Sequence, residues 1–323
     1  MFRFGESEFY LFGLKVGLLN LLRNGFSFGF KKTVGKVSQP INSYTRFPEY
    51  YYFRLAIRDY IAEHLPTGRM RILDVGSPKL FGLYLASNYK VEVHLTDFSH
   101  SSMEEYSRLW HGVRDRAKGA IAFCAQDARC LAHREETFDI VYSMSVMEHV
   151  EGPCGDSHGV REMIRVLKPG GLLVLSVPFG CTYVEQDRLG FSYRQKIGRG
   201  TEGLFFQRIY DKNRFQKRIL DCAAEIRAQR VLTITRKRGL VLKAYQGLNE
   251  NLRGALGFVN PWLSTWMNKC QEGMSDKVES SYGGLHSMAD VYGDLIFCGM
   301  KEKKLANGTE SSAPTVRGSQ FGA

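Results

Sequence analysis

Between residues 70 and 180 the sequence alternates short apolar runs with longer mixed stretches, and this rhythm limits the fold more than any other feature. The runs read as strands at 71–75, 91–96, about 119–124, 138–143 and 172–177. Helices are predicted between them at about 78–88, 101–117 and 157–168. Strands that alternate with helices give a parallel sheet covered on both faces. The expected architecture is α/β, a doubly wound Rossmann-like sheet.

The flanking regions break the rhythm. Residues 1–66 form an N-terminal basic and apolar extension, with "EYYYFRLAIRDYIAEHLP" at 49–66 spaced as a helix that stops at Pro66. The stretch 9–32 mixes Leu and Phe with Lys15, Arg23, Lys31 and Lys32, a pattern suited to packing on its own domain or to a membrane surface. Glu6 and Glu8 argue against a signal peptide. No run reaches about 18 apolar residues, so no membrane span is expected. After 180, residues 185–203 read as a loop or lid, 210–226 as a helix capped by Asp211, and 227–237 and 292–303 as strands. Residues 240–290 hold helix-like pieces, and the Ser/Gly-rich tail 304–323 reads as disordered. The expected divisions are 1–66, a domain over 67–303 with insertions at about 183–209 and 240–290, and the tail.

The seven cysteines are dispersed, without a CxxC pair or Cys/His ligand spacing, so reduced thiols are expected and a metal site is not. Net charge is +11. Between 186 and 243 fifteen Lys and Arg face five Asp and Glu, which suits an anionic acceptor or surface. No RNA-binding motif accompanies this charge, so nucleic acid is disfavoured.

Four features line up along the expected sheet. In "LDVGSP" a strand ends at Gly76, Ser77 reads as an N-cap and Pro78 as the first helical residue, so helix amides face the site. Lys79 adds a charge there and is expected to pair with a ligand carboxylate. In "VEVHLTDF" Asp97 ends the second strand, 21 positions after Gly76, where doubly wound folds place the acid that takes ribose hydroxyls. Asp97 as a cap of the next helix is the rival reading, with Ser99 competing for that task. Asp127 follows the third strand in "CAQDARCL". "ETFDIVYSMSVMEHV" and then "IRVLKPGGLLVLSVP" complete the series.

In this order and spacing the motifs resemble the class I S-adenosylmethionine-dependent methyltransferases, closely over 68–180 and loosely over 205–303. The resemblance implies a mostly parallel sheet whose last strand inserts antiparallel beside strand six, and S-adenosyl-L-methionine as cofactor. The dispersed thiols without a cleavable signal suit a cytoplasmic enzyme, peripheral at a membrane if 9–32 makes that contact. It implies Asp74, Gly76 and Ser77 at the methionine end, Asp97 on ribose, Asp127 and the Ala128 amide on adenine, and Ser143 or Met144 lining the pocket. The chain departs from the family at the glycine loop, where Pro78 and Leu80 stand and Gly82 lies too far along the helix to compensate. The candidate catalytic residue is His149, after strand four, as a base near neutral pH. The acceptor is expected to be a small or glycan- or lipid-linked molecule offering an oxygen or nitrogen. Two rival readings are a nicotinamide-dependent reductase, which lacks its GxGxxG here, and an inactive methyltransferase-like scaffold, against which Asp97 and Asp127 both speak.

Overall fold

The computed structural model describes residues 7–24, 46–64, 68–189, 203–236, 268–272 and 293–303. In chain order the helices are α1 (Ser7–Asn24), α2 (Arg46–Glu63), α3 (Lys79–Asn88), α4 (His100–His111), α5 (Gly155–Val166) and the short α6 (Lys212–Phe215). The strands are β1 (Met70–Val75), β2 (Val91–Asp97), β3 (Ala120–Ala125), β4 (Phe138–Met144), β5 (Leu167–Phe179), β6 (Val184–Leu189), β7 (Gly203–Ile209), β8 (Ile226–Arg236), β9 (Asn268–Glu272) and β10 (Gly293–Lys301).

Eight strands make one sheet in the order β3-β2-β1-β4-β5-β10-β8-β9. The first five are parallel. β10 then inserts antiparallel between β5 and β8, as expected. The strand order reverses between β1 and β4, which is where such sheets open a crevice at their carboxyl ends.

Alternation along the strands builds two cores. Ile72, Ile140, Leu172 and Val174 face one side with α1 to α4, while Leu73, Val141, Leu173 and Leu175 face the other with α5 and the helical segment after β7. α3 is buried from Lys79 to Ala86 because helices cover its outer face as well. There Phe9 of α1 and Tyr50 of α2 stack at 4.6 Å, and Phe81 and Tyr84 of α3 complete the aromatic layer. The N-terminal extension is therefore part of the covering of the sheet in its described portions. α2 runs antiparallel to β5, since the Tyr60 hydroxyl donates to Gly170 O at 2.9 Å and Glu49 reaches Ser176 at the other end.

Three expectations change. The stretch 185–203 is not simply a loop: β6 and β7 pair antiparallel as a hairpin, and 190–202 lie outside the described residues. The helix expected over 210–226 is α6 followed by a wider turn at Gln216–Leu220 and a tighter one at Asp221–Ala223. Asp211 does cap it, accepting from the Arg214 amide at 2.6 Å. Within 240–290, residues 268–272 are β9, paired with β8, and the remainder lies outside the described residues, as does the tail from 304.

Candidate active site

The loop after β1 is tied down by hydrogen bonds from several elements. Asp74 is fully buried. Its carboxylate accepts from the Ser77 amide at 2.8 Å and from the Tyr142 hydroxyl at 2.9 Å, and Lys79 Nζ lies 3.4 Å away. Burial pushes the Asp74 carboxyl up from its usual range, and Lys79 and Tyr142 pull against it. The main chain is pinned too: Thr96 Oγ1 donates to Asp74 O and Ser143 Oγ donates to Val75 O. Asp74 and Ser143 are thus supports beneath the site, and Met144 is equally buried.

Gly76 takes φ +75°, and a Cβ there would stand 2.5 Å from Val146 Cγ1, so both its backbone and its surroundings require glycine. Ser77 does not cap α3 as expected: Pro78 occupies that position, and the Ser77 hydroxyl accepts from the Met144 amide at 2.9 Å. Gly82, set aside in the sequence, has a clear task. A Cβ there would lie 2.2 Å from Leu95 Cδ2, so glycine lets α3 press against the sheet, the role given to the third glycine of dinucleotide loops.

Lys79 also corrects its expectation. Its ammonium is 1% exposed and turns inward, donating to Ser77 O at 2.6 Å, with Asp74 at 3.4 Å and Asp97 at 3.6 Å. It joins the two acids of β1 and β2 instead of reaching outward for a ligand carboxylate.

Asp97 closes β2 and Asp127 lies two residues past the adjacent β3, each side chain 27% exposed. Ser99, not Asp97, caps α4, accepting from the Ser102 amide. Asp97 accepts from the Ser99 amide at 2.9 Å, and its second oxygen faces Lys79. Asp127 is gripped by Arg129, whose Nη2 donates at 2.6 Å. Between these acids in sequence, the exposed Phe98 directly follows Asp97. Nothing in the local spacing marks it, since an aromatic residue at a strand end is ordinary.

The loop carrying Asp127 is fastened to α5. Glu162 accepts from the Leu131 amide at 2.8 Å and from Arg165, which also donates to His133 O and Leu131 O. Hydrogen bonding from Arg165 holds the Glu162 carboxyl below its usual range. A depressed acid contributes stability above its unfolded value and loses it as pH falls through the folded one. Thermal melting is therefore expected to drop below about pH 4.5, and less steeply in Glu162→Gln. Equal slopes in the two proteins would contradict the assignment.

On the far side of the crevice the segment after β4 is clasped by the β6–β7 hairpin. His149 Nδ1 lies 2.7 Å from Phe206 O, and since a carbonyl only accepts, Nδ1 carries the proton. Nε2 sits 3.6 Å from Glu148 Oε1. Both ring nitrogens thus face protein groups, and the side chain is 13% exposed. Arg208 is buried and donates to Val150 O at 2.7 Å and Gly152 O at 2.6 Å, with Glu185 at 3.2 Å. Arg218 forks onto the buried Asp156, which also accepts from the Tyr210 hydroxyl at 2.8 Å. These two arginines are structural and do not belong to an open basic face, whereas Lys212, Arg214 and Lys217 are exposed beside the hairpin. Among the described residues no group of His, Cys, Asp and Glu could hold a metal.

A parallel sheet in this strand order, with an acid closing β2, another just past β3 and an antiparallel β10, defines a Rossmann-like α/β fold. Residues 73–175 match the methyltransferase domain family. That match covers about a third of the chain, from the middle of β1 to the middle of β5. No curated protein matches it. Similar solved structures include the cyclase SpnF, at 18% identity and TM-score 0.44, covering 76% of this chain and 80% of that one. A putative sarcosine dimethylglycine methyltransferase from Galdieria sulphuraria is 14% identical at TM-score 0.46, covering 80% and 86%. A methyltransferase from Methanosarcina mazei is 15% identical at TM-score 0.44, covering 75% and 98%.

Proposed function

We propose that the chain moves a methyl group from S-adenosylmethionine to an oxygen or nitrogen of a small, or glycan- or lipid-linked, anionic acceptor at the carboxyl edge of β4 and β5. The observation that carries this reading is the pair of part-exposed carboxylates, Asp97 and Asp127, at the ends of neighbouring parallel strands. They fit the cofactor's ribose and adenine respectively, with the Ala128 amide beside the base. The exposed Phe98 ring offers it a flat apolar face. The Gly76–Ser77 turn would approach the methionine end.

The bound cofactor supplies an electrophilic methyl on a sulfonium that is already activated. The protein's share is therefore positioning and exclusion of water. His149 serves this by holding the hairpin over the site through Phe206, and we read it as a clasp, not as a base. The β6–β7 hairpin and the exposed Lys212, Arg214 and Lys217 form the acceptor side, where an anion is favoured. α1 exposes Leu11, Leu18 and Leu22 together with Lys15, which suits a cytoplasmic enzyme touching an anionic membrane surface. Among the described residues no helix is long and apolar enough to cross a membrane.

Calorimetric titration with S-adenosylhomocysteine, followed by transfer of labelled methyl from S-adenosylmethionine, tests the reading. Saturable binding is expected, with transfer to phosphorylated or acidic sugars above their neutral counterparts and faster transfer to lipid-linked ones on anionic vesicles. A folded protein that binds no S-adenosylhomocysteine would sink the proposal. Preference for neutral acceptors would sink its acceptor half.

A further inference from the structure

We propose that Glu49 is a positioning residue for the transfer site, setting the turn after β4 through Ser145 and Ser176. The inference rests on the placement of that site at the carboxyl edge of β4 and β5. Glu49 belongs to α2, outside the matched segment 73–175. Its side chain is 1% exposed. Its Oε1 accepts from Ser145 Oγ at 2.7 Å and from Ser176 Oγ at 2.6 Å. The triangle closes because the Ser145 amide donates to Ser176 Oγ at 3.1 Å.

A buried carboxylate is an expensive way to satisfy two hydroxyls, which could accept from and donate to one another or to backbone. Its position explains its presence. Ser145 has φ +48°, a left-handed conformation that a serine seldom adopts and that persists only where its surroundings hold it. Glu49 and Ser176 are those surroundings. The turn they fix determines where the next residue goes, and Val146 packs directly over Gly76 of the loop after β1. From Val146 the chain leads on to His149 and Val150, which hold the hairpin. One carboxylate from the N-terminal extension thus sets the relation between the cofactor loop and the acceptor side.

The role separates from simple docking of α2 by a rescue experiment. Glycine adopts the left-handed region without steric cost. If Glu49 acts by holding Ser145 there, Ser145→Gly should compensate for its loss. In the full-length protein, Glu49→Ala is expected to speed hydrogen exchange at amides 145–150 about tenfold, by the loss of the bonds that hold the turn. S-adenosylhomocysteine affinity should fall by a similar factor. Glu49→Gln, which keeps an accepting oxygen, should stay near wild type. The Glu49→Ala/Ser145→Gly protein should recover affinity to within about threefold of wild type, since glycine needs no external support in this turn. Unchanged exchange and affinity in Glu49→Ala would overturn the inference, and so would a loss that Ser145→Gly fails to rescue. Should Glu49→Ala not fold, Ser176→Ala removes one corner of the triangle and is subject to the same rescue. Wild-type protein that binds no S-adenosylhomocysteine would sink the methyl-transfer reading before any variant is made, while exchange in the free protein still reports on the turn.

Discussion

Replacing Lys79 with Met is expected to destabilise the protein by about 3–5 kcal/mol at neutral pH, the range for removing one partner of a buried ion pair. The lysine is the cation beside a fully buried Asp74, and its Nζ also reaches Ser77 O and Asp97. Without it the Asp74 carboxylate keeps its hydrogen bonds from Ser77 and Tyr142 but loses its compensating charge. The pH dependence has a definite sign. Burial already raises Asp74 above its ordinary value, and the lysine works against that rise. A raised acid contributes stability below its unfolded value and loses it as pH climbs through the folded one. Removing Lys79 raises the carboxyl further, so the deficit of Lys79→Met should shrink as the solution is acidified toward pH 5 and widen toward pH 8. Denaturant unfolding across that interval checks both size and slope. Asp74→Asn/Lys79→Met should recover much of the loss, because the uncompensated charge is gone. A loss below about 1 kcal/mol at pH 7.5, the size of an exposed pair, would show that the ammonium is solvated and the pair is not buried.

Asp97→Ala is expected to weaken S-adenosylhomocysteine binding by at least about 100-fold, because two hydrogen bonds to a charged acceptor contribute about 1.5–3 kcal/mol each. The fold should survive. The side chain is part-exposed, Ser99 caps α4 without it, and Lys79 keeps Asp74 and Ser77 O as partners. Calorimetry beside a thermal melt separates affinity from stability. Unchanged affinity in a folded Asp97→Ala protein would place the ribose elsewhere. A collapse in melting temperature would instead mark Asp97 as a member of the Lys79 network first and a ligand second.

The sheet was legible because strand burial and helix amphipathicity are written in local periodicity. The five parallel strands fall within a few residues of their expected bounds, β5 being longer at Leu167–Phe179. The placing of Asp97 and Asp127 was legible for the same reason: Asp97 closes β2 and Asp127 lies two residues past β3, both at the carboxyl edge of the sheet. Local spacing misled where a side chain has a choice of partner. Ser77 has the composition of a cap and spends its hydroxyl on the Met144 amide instead. Lys79 has the composition of a solvent-facing charge and is drawn inward by two acids of different strands. Arg208 and Arg218 counted toward a basic face, yet Asp156 and backbone carbonyls hold them inside.

What the sequence determined by itself is the order of strands and helices and the placing of two acids, Asp97 and Asp127, at the carboxyl ends of neighbouring strands. These follow from the 2.0 and 3.6 residue periods and from which residues end a strand. What only the tertiary structure decided is how the site is held. Glu49 meets Ser145 across 96 positions and Ser176 across 127, and His149 meets Phe206 across 57. Hydrogen bonds leave no periodic trace over such separations, because the partners are brought together by helix and hairpin packing that no local stretch encodes.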